Sequence, residues 1–133
     1  MNRPIKFRAK GKYDGQWHYG GLIQVSKGYS IATKIEDAFE MCAVDPETIG
    51  QFTGLYDKNG KEIYEGDIIL YGDSIQYEVV FRHGAFGYLI YGGEFISYAG
   101  NTNFTFNPLN RSKKHEVIGN IYDNPELLKG GEK

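Results

Sequence analysis

The sequence predicts an all-β fold, with a β-dominated α+β fold as the alternative, because three observations agree. Aromatic residues make up 15% of the 133 residues, with 11 Tyr and 8 Phe, and 18 residues are Gly. Aromatic side chains favour pleated, half-buried surfaces, and glycines favour the tight turns between strands. Short apolar runs separated by turn signals are typical of a small barrel or sandwich. We expect one domain over residues 1–133, a small SH3-like or partly open β-barrel, with a frayed tail at 129–133.

The first third of the chain predicts short strands joined by glycine turns. Apolar and basic side chains alternate from Ile5 to Ala9, which is the pattern of a half-exposed strand. The pair Gly20-Gly21, in the segment that contains Trp17, Tyr19 and Leu22, indicates a bulge or a close backbone approach. Lys27-Gly28 then turns the chain into a third strand, from Tyr29 to Thr33. Residues 34–44 suit a short helix and an irregular strand equally, so their conformation stays open.

The centre of the chain predicts a hairpin with recognisable turn chemistry. Asp45-Pro46-Glu47 is typical of the start of a short helix, with an acceptor before Pro at the first helical position. The Asp57 to Gly60 segment contains the residues that tolerate positive φ, so Phe52 to Tyr56 is expected to fold back on Lys61 to Tyr64. A second turn at Glu65-Gly66-Asp67 starts another strand.

The C-terminal half predicts further strands, a polar surface loop at 99–114 and a short helix. The strands are expected at Gln76–Arg82, Tyr88–Tyr91, Phe95–Tyr98 and Glu116–Tyr122. Asn124 ahead of Pro125 and Glu126 repeats the helix-start pattern, and it predicts the C-terminal helix.

Charge and cysteine content restrict the partners and the compartment. The formal net charge is -2, with 15 basic and 17 acidic side chains, so the molecule as a whole does not attract phosphate backbones or anionic lipid. The single cysteine, Cys42, excludes an internal disulfide and fits a reducing compartment. No apolar run approaches the ~18 residues of a spanning helix. We therefore expect a cytoplasmic protein that does not enter the membrane.

The motifs of common enzymes and cofactor sites do not fit this sequence. The run from Gly54 to Lys61 has the wrong spacing for a phosphate loop, and none of the serines lies in a nucleophile elbow. The three histidines are far apart, so we predict no metal site, no cofactor and no catalytic residue. Cys42, between Met41 and Ala43, is interpreted as a small buried hydrophobe.

Two groups of ionisable residues nevertheless suggest chemistry. His83 on a glycine turn, acting with Glu65 or Asp67, is the arrangement that an enzyme hypothesis requires. The simpler interpretation is an exposed turn histidine and a solvated acidic turn in which Asp67 bonds backbone amides. We adopt the simpler interpretation and predict that the protein is not an enzyme.

A row of basic residues near the N-terminus is the candidate site for nucleic acid or another anion. The row consists of Lys6, Arg8, Lys10 and Lys12, three of which share one strand face. Nearby aromatic rings could stack on bases while the cations follow a phosphate backbone. The alternative, which the near-neutral total charge favours, is that these cations line an edge strand and prevent strand-to-strand association.

The surplus of aromatic side chains predicts a contact surface. A domain of this size cannot bury all 20 aromatic rings, so some are expected to form a patch for a partner or a second copy of the chain. The candidates are Trp17, Tyr19, Tyr64, His83 and Phe86.

Three blocks of the sequence resemble the YopX family of phage and prophage proteins. They are Lys6-Phe7-Arg8-Ala9, Gln51 to Ile69 and Val117 to Leu128, and the central one contains Asp57-Lys58-Asn59-Gly60-Lys61-Glu62-Ile63-Tyr64-Glu65-Gly66-Asp67. The resemblance implies a small accessory protein of uncharacterised role that assembles into oligomers, and it implies no catalytic residues.

Together these observations predict a non-enzymatic binding or scaffolding module that associates with itself. Nucleic-acid binding through the basic row and inhibition of a host defence factor are the alternatives. A host or phage protein is a further candidate partner.

Overall fold

The computed structural model describes residues 5–73, 75–82, 84–89, 95–97 and 114–127. These residues form antiparallel strands joined mainly by tight turns, so the predicted all-β fold is confirmed. The strands are β1 Phe7–Lys10, β2 Trp17–Val25, β3 Gly28–Ile35, β4 Ala38–Val44, β5 Gly50–Tyr56, β6 Glu62–Tyr64, β7 Asp67–Tyr71, β8 Ile75–Arg82, β9 Ala85–Leu89, β10 Phe95–Ser97 and β11 His115–Asn120.

The chain divides into two compact units, which we call unit 1, Met1–Phe52, and unit 2, Thr53–Lys133. In unit 1 the strand order is β4-β3-β2-β1-β5. Its core consists of Ala9, Ile31 and Val44, each at most 2% exposed. The strand predicted at Ile5 to Ala9 is present from Phe7 to Lys10, and Ala9 is buried in this core while the cations of β1 lie on the other face. It is not half-exposed as predicted, because Arg8 is 5% exposed, and Ile5, at 68% exposed, lies before the strand.

Between β4 and β5 the chain makes one 3-10 turn, Pro46–Thr48. Asp45 caps it by accepting a hydrogen bond from the Glu47 amide at 3.0 Å, and Pro46 occupies the first position, where no donor is needed. The helix start predicted at Asp45-Pro46-Glu47 is therefore confirmed in its capping chemistry.

Unit 2 contains the predicted hairpin and a five-stranded sheet. The last residues of β5 pair with β6 across the turn at Asp57 to Gly60, where Gly60 has a φ of 81°. The sheet has the order β10-β9-β8-β7-β11. The core of unit 2 is formed by Ile63 of β6 together with Ile69, Tyr77 and Val79 of the sheet. A bulge between Val117 and Gly119 shifts the register of β11 against β7.

Several expectations need correction or stay open. Neither strand order returns to its first strand, so the described strands form open sheets and not a closed barrel. The C-terminal helix is not borne out, since only Glu126 and Leu127 have helical backbone within 114–127. Residues 34–44, left open above, belong mostly to a β3–β4 hairpin, because β4 pairs with β3 from Ala38 to Val44. The single domain and the SH3-like classification stay predictions.

Three predicted features lie outside the described residues: His83, nearly all of the loop at 99–114 and the tail at 129–133. No helix in the described part of the chain has the length and apolar character needed to cross a bilayer.

Candidate functional site

The basic row of unit 1 follows β1, with Arg8 and Lys10 on the strand and Lys6 and Lys12 beside its two ends, and each cation contacts an aromatic ring. Register places Arg8 opposite Tyr19 and Lys10 opposite Trp17. The Arg8 guanidinium carbon is 4.7 Å and the Lys10 ammonium 5.6 Å from the centroid of the Trp17 ring. These are cation–π distances. The predicted interleaving of cations and aromatic rings is present, and the rings of the chain itself contact the cations.

Two parts of the predicted interpretation of this row are wrong. Arg8 is only 5% exposed, because the Trp17 ring lies over it, and so it does not belong to a solvent-facing row. The edge-strand explanation also fails, since β1 is paired with β2 on one side and with β5 on the other. Lys6 is half-buried, with its ammonium 5.5 Å from the Phe52 ring centroid.

The end of the basic row lines a cavity of about 640 Å³ within unit 1. Lys10 and Lys12 contribute to its wall together with Lys27, which sequence reasoning did not single out because it lies 15 residues further along the chain. One carboxylate, Asp45, also lines it, and its side chain already accepts the Glu47 amide. The volume is within the range of small-ligand pockets, and the excess of cations suits an anion.

Backbone hydrogen bonds hold this cavity together at the ends of β1 and β4. The Lys12 amide donates to the Ala43 carbonyl at 2.8 Å, and the Asp45 amide donates to the Lys10 carbonyl at 2.9 Å. The Lys12 ammonium lies 5.7 Å from the Tyr13 ring centroid, and both side chains are exposed. The cavity therefore offers solvent-accessible charge on a hydrogen-bonded backbone.

Beside this cavity, Asp14, His18 and Cys42 come together. The His18 Nε2 atom is 3.0 Å from Asp14 Oδ2 and 3.3 Å from Cys42 Sγ. One ligand atom from each residue lies within 4.8 Å of the other two. Sequence reasoning missed this group because it compared only the spacing between histidines, and Cys42 is 24 residues from His18.

The ionisation of the group follows from its surroundings. Hydrogen bonds from the Gln16 amide and from His18 lower the pKa of Asp14 below its ordinary value. Burial raises the pKa of the Cys42 thiol, and the negative charges of Asp14 and Glu40 raise it further. In a catalytic triad built on Ser or Cys, the acid and the nucleophile contact different nitrogens of the histidine ring. Here Asp14 and Cys42 both contact Nε2 of His18. The arrangement does not form a nucleophilic triad.

A second surface of unit 1 exposes apolar side chains on β2, β3 and β4. Phe39 and Met41 are 66% and 53% exposed, and Ile23 and Val25 are 36% and 44% exposed. Strand register places these four side chains on one face of the hairpins, since Met41 is opposite Ala32 and Ile23 is opposite Ser30. We call this set the apolar face. The signal was present in the sequence as two alternating pairs, but residues 34–44 had no assigned conformation.

The aromatic contact candidates are divided by burial. Tyr19 is 44% exposed, as expected, and Trp17 is half-buried over the cations. Tyr64 is wrong as a surface residue, because it is 3% exposed and its hydroxyl donates to Glu62 at 2.9 Å. Phe86 is half-buried, with its ring edge-on to Phe81 at 4.8 Å.

In unit 2 two acidic residues of the central block, Asp57 and Asp67, accept hydrogen bonds from backbone amides. Asp57 is 1% exposed and accepts the amides of Asn59, Lys61 and Val117 at 2.8 to 2.9 Å. Asp67, also 1% exposed, accepts the Tyr64 amide at 2.7 Å. The expected bonding of Asp67 to backbone amides is confirmed, but the expected solvated turn is wrong, because this carboxylate is buried. The acidic block is an architectural feature.

His115 is the buried histidine of unit 2. It is 2% exposed and lies between Tyr71 and Tyr77, with ring centroids 4.7 and 5.9 Å away. Burial lowers its pKa to about 4, so the ring is neutral at physiological pH. Its backbone carbonyl accepts the Lys58 amide at 2.9 Å.

These features define an all-β protein in which buried carboxylates fix the turns of one unit, while cations, a Cys/His/Asp group and an apolar face lie in the other. The chain belongs to the YopX family, because the family model described as YopX protein matches residues 6–129.

The chain is also similar to a solved structure and to no curated protein. The crystal structure of protein EF1440 from Enterococcus faecalis has a TM-score of 0.57 and is 25% identical, with 96% of this chain and 99% of that chain covered. No curated protein matches the sequence.

Proposed function

We propose that the protein is a non-enzymatic accessory module, encoded by a phage or prophage, that assembles with copies of itself through strand β4. The observation that carries this proposal is the position of β4 at the end of the strand order, with Phe39 and Met41 exposed on it. Family membership supports a protein of uncharacterised role and supplies no activity.

An end strand with exposed apolar side chains favours pairing with another strand. Within the part of the chain that the structure describes, β4 contacts the β1–β2 turn at its end, where Ala43 accepts the Lys12 amide and Val44 bridges Gly11, so its earlier residues offer an edge to a second strand. Burying a Phe or Met side chain contributes about 1.5–3 kcal/mol. A two-fold antiparallel pairing of β4 uses each of these side chains twice, which favours a symmetric dimer.

The test is sedimentation velocity and light scattering over a concentration series. The wild type is expected to associate as its concentration rises, and the double variant Phe39→Lys with Met41→Lys is expected to stay monomeric. Ile75→Lys is the matched control, since Ile75 is 47% exposed but lies in unit 2, and it should associate like the wild type. A wild type that is monomeric at micromolar concentrations, or a double variant that still associates, rejects the proposal.

A second candidate function, binding of nucleic acid, is favoured by the cavity lined by Lys10, Lys12 and Lys27. Single strands bind proteins through cations along the backbone and rings under the bases, and exposed Tyr13 lies beside Lys12. Arg8 is buried and Lys10 is half-buried, whereas Lys12 and Lys27 are exposed. Lys12 and Lys27 are therefore the residues that carry this function.

A mobility-shift assay with a single-stranded oligonucleotide over a salt series tests the second candidate. Replacing Lys12 and Lys27 by Gln should weaken binding and make the salt dependence shallower by roughly 0.7 for each lost phosphate contact. Lys34→Gln, at an exposed lysine of β3 outside the cavity, is the control. Absence of binding at low salt rejects this candidate. Inhibition of a host defence factor and a cytoplasmic location stay predictions from the sequence.

A further inference from the structure

We propose that Asp14, His18 and Cys42 bind a divalent transition-metal ion of the zinc class. The inference is independent of self-assembly, since Asp14 and His18 lie at the β1–β2 turn and Cys42 lies on the face of β4 opposite to Phe39 and Met41. It assigns Cys42 a role that the sequence interpretation, a small buried hydrophobe, did not include.

The distances within the group fit one central ion. A tetrahedral zinc ion, with bonds of about 2.3 Å to sulfur and about 2.0 Å to nitrogen and oxygen, holds its ligand atoms about 3.3–3.5 Å from each other. Here His18 Nε2 is 3.3 Å from the sulfur and 3.0 Å from the carboxylate oxygen. The carboxylate oxygen and the sulfur lie within 4.8 Å of each other, so binding an ion requires side-chain rotations that bring these two atoms closer.

Two partners converge on one ring nitrogen of His18, where at most one proton is available to them. Nε2 carries at most one proton, which a protonated nitrogen donates to Asp14 Oδ2. The Cys42 thiol can then turn its proton to the Ala43 carbonyl at 3.5 Å, which is a weak contact. A cation at the centre of the group would bind His18 Nε2, the Asp14 carboxylate and Cys42 Sγ at once.

The fold places the three residues with tight local constraints. The Gly15 amide donates to the Gly11 carbonyl at 3.1 Å and closes the turn that carries Asp14, and the second Asp14 oxygen accepts the Gln16 amide at 2.9 Å. Gly11 has no side chain, and a Cβ there would be 1.9 Å from that oxygen. The residue at position 11 therefore makes room for the carboxylate that completes the group.

Pairing brings the cysteine to the same place. Gly11 bridges Val44, which sets the β1–β2 turn beside the end of β4, and Cys42 lies two residues before Val44 on the same face of that strand. His18 is half-buried and Asp14 exposed, so an ion can enter from solvent. The group is thus accessible and held by strands on both sides.

The ligand types select the metal. Thiolate and imidazole favour Zn²⁺ and related ions, whereas Mg²⁺ and Ca²⁺ prefer sites built from oxygen alone. Three protein ligands leave one position of a tetrahedral ion for water or for an outside ligand.

Titration of tag-free, EDTA-treated protein with Zn²⁺ and with Co²⁺ tests the proposal. We expect one saturable site per chain by calorimetry and, with Co²⁺, a thiolate charge-transfer band and the visible bands of a tetrahedral ion. Even residues that only support a metal ligand are worth about 10–100-fold in affinity, so Cys42→Ser, His18→Gln and Asp14→Asn should each weaken binding by more than about tenfold. Cys42→Ser should also abolish the charge-transfer band.

Matched controls separate this site from surface binding and from misfolding. Asp37→Asn, at an exposed acid of unit 1 outside the group, should bind like the wild type. Circular dichroism should show that each variant is folded, and Zn²⁺ should raise the melting temperature of the wild type by an amount that keeps increasing with the logarithm of the free Zn²⁺ concentration above Kd. No saturable binding by the wild type, or equal affinity in the wild type and Cys42→Ser, overturns the proposal.

Discussion

Units 1 and 2 use their polar and apolar side chains in opposite ways. Of the ten large hydrophobic side chains exposed among the described residues, eight lie in unit 1 and two, Ile75 and Phe81, in unit 2. In unit 2, Asp57 and Asp67 are buried and accept hydrogen bonds from backbone amides. In unit 1, Asp14 is exposed and contacts His18, which in turn contacts Cys42. The central block, Gln51 to Ile69, therefore contributes buried carboxylates that fix turns of unit 2, and the Asp14, His18 and Cys42 group lies in unit 1.

The largest expected effect is on the buried turn of unit 2. Replacing Asp57 by Ala removes the acceptor of three backbone amides, one of them 60 residues away on β11. Each buried amide left without a partner costs about 1–3 kcal/mol, so we expect a loss of roughly 4 kcal/mol in the free energy of unfolding after partial rehydration. Urea denaturation followed by circular dichroism measures it.

The control for that change is an acid of unit 1. Asp37→Ala, at an exposed turn position, should change the free energy of unfolding by less than about 0.5 kcal/mol. Equal losses in the two variants would remove the contrast between architectural acids in unit 2 and solvated acids in unit 1.

The second-largest expected effect is a loss of stability in unit 1, at the paired glycines Gly20 and Gly21. Gly20 has a φ of 155°, and a Cβ there would be 2.1 Å from the Ala32 carbonyl oxygen, so Gly20→Ala should cost about 2–3 kcal/mol. Gly21→Ala meets nothing within 4 Å and should cost much less. Fluorescence of Trp17, the single tryptophan, reports the unfolding of this unit. Equal destabilisation by the two changes would contradict the close approach of Gly20 to the Ala32 carbonyl.

The effect that is smallest near neutral pH is a pH dependence from His115 in unit 2. Its pKa is about 4 in the folded chain and near 6.5 when unfolded, so the unfolded state takes up the proton first as the pH falls. Stability is therefore full above pH 6.5 and decreases between about 6.5 and 4, by roughly 1 kcal/mol per pH unit. His115→Phe keeps a ring between the two tyrosines and should remove this decrease in urea denaturation. The same pH slope in His115→Phe would assign it to other groups.

Local turn chemistry made part of the fold predictable. The hairpin at Asp57 to Gly60 and the cap at Asp45 depend on neighbours within four residues, and the structure confirms both. Residues 34–44 could not be assigned, because their strand conformation depends on pairing between β3 and β4. Asn124 resembles a helix cap locally, but its side chain accepts the Asn120 amide at 3.2 Å, which ties it to the end of β11.

The candidate site was predictable only where it is continuous in sequence. The row ending in Lys10 and Lys12 could be read from alternation, but the burial of Arg8 under Trp17 depends on the register of β1 and β2. The Asp14, His18 and Cys42 group depends on the β1–β2 turn and on the bridge between Gly11 and Val44, which no local pattern indicates. Alternation also could not place Tyr64, because period two does not say which face is buried.

Hydrogen exchange of the full chain, measured by mass spectrometry at low and at high protein concentration, tests most directly whether unit 1 carries the contact surface. We predict that raising the concentration slows exchange in peptides covering Ala38–Val44 and leaves peptides from Thr53 onward unchanged. Slower exchange confined to unit 2, with Ala38–Val44 unchanged, would contradict the account.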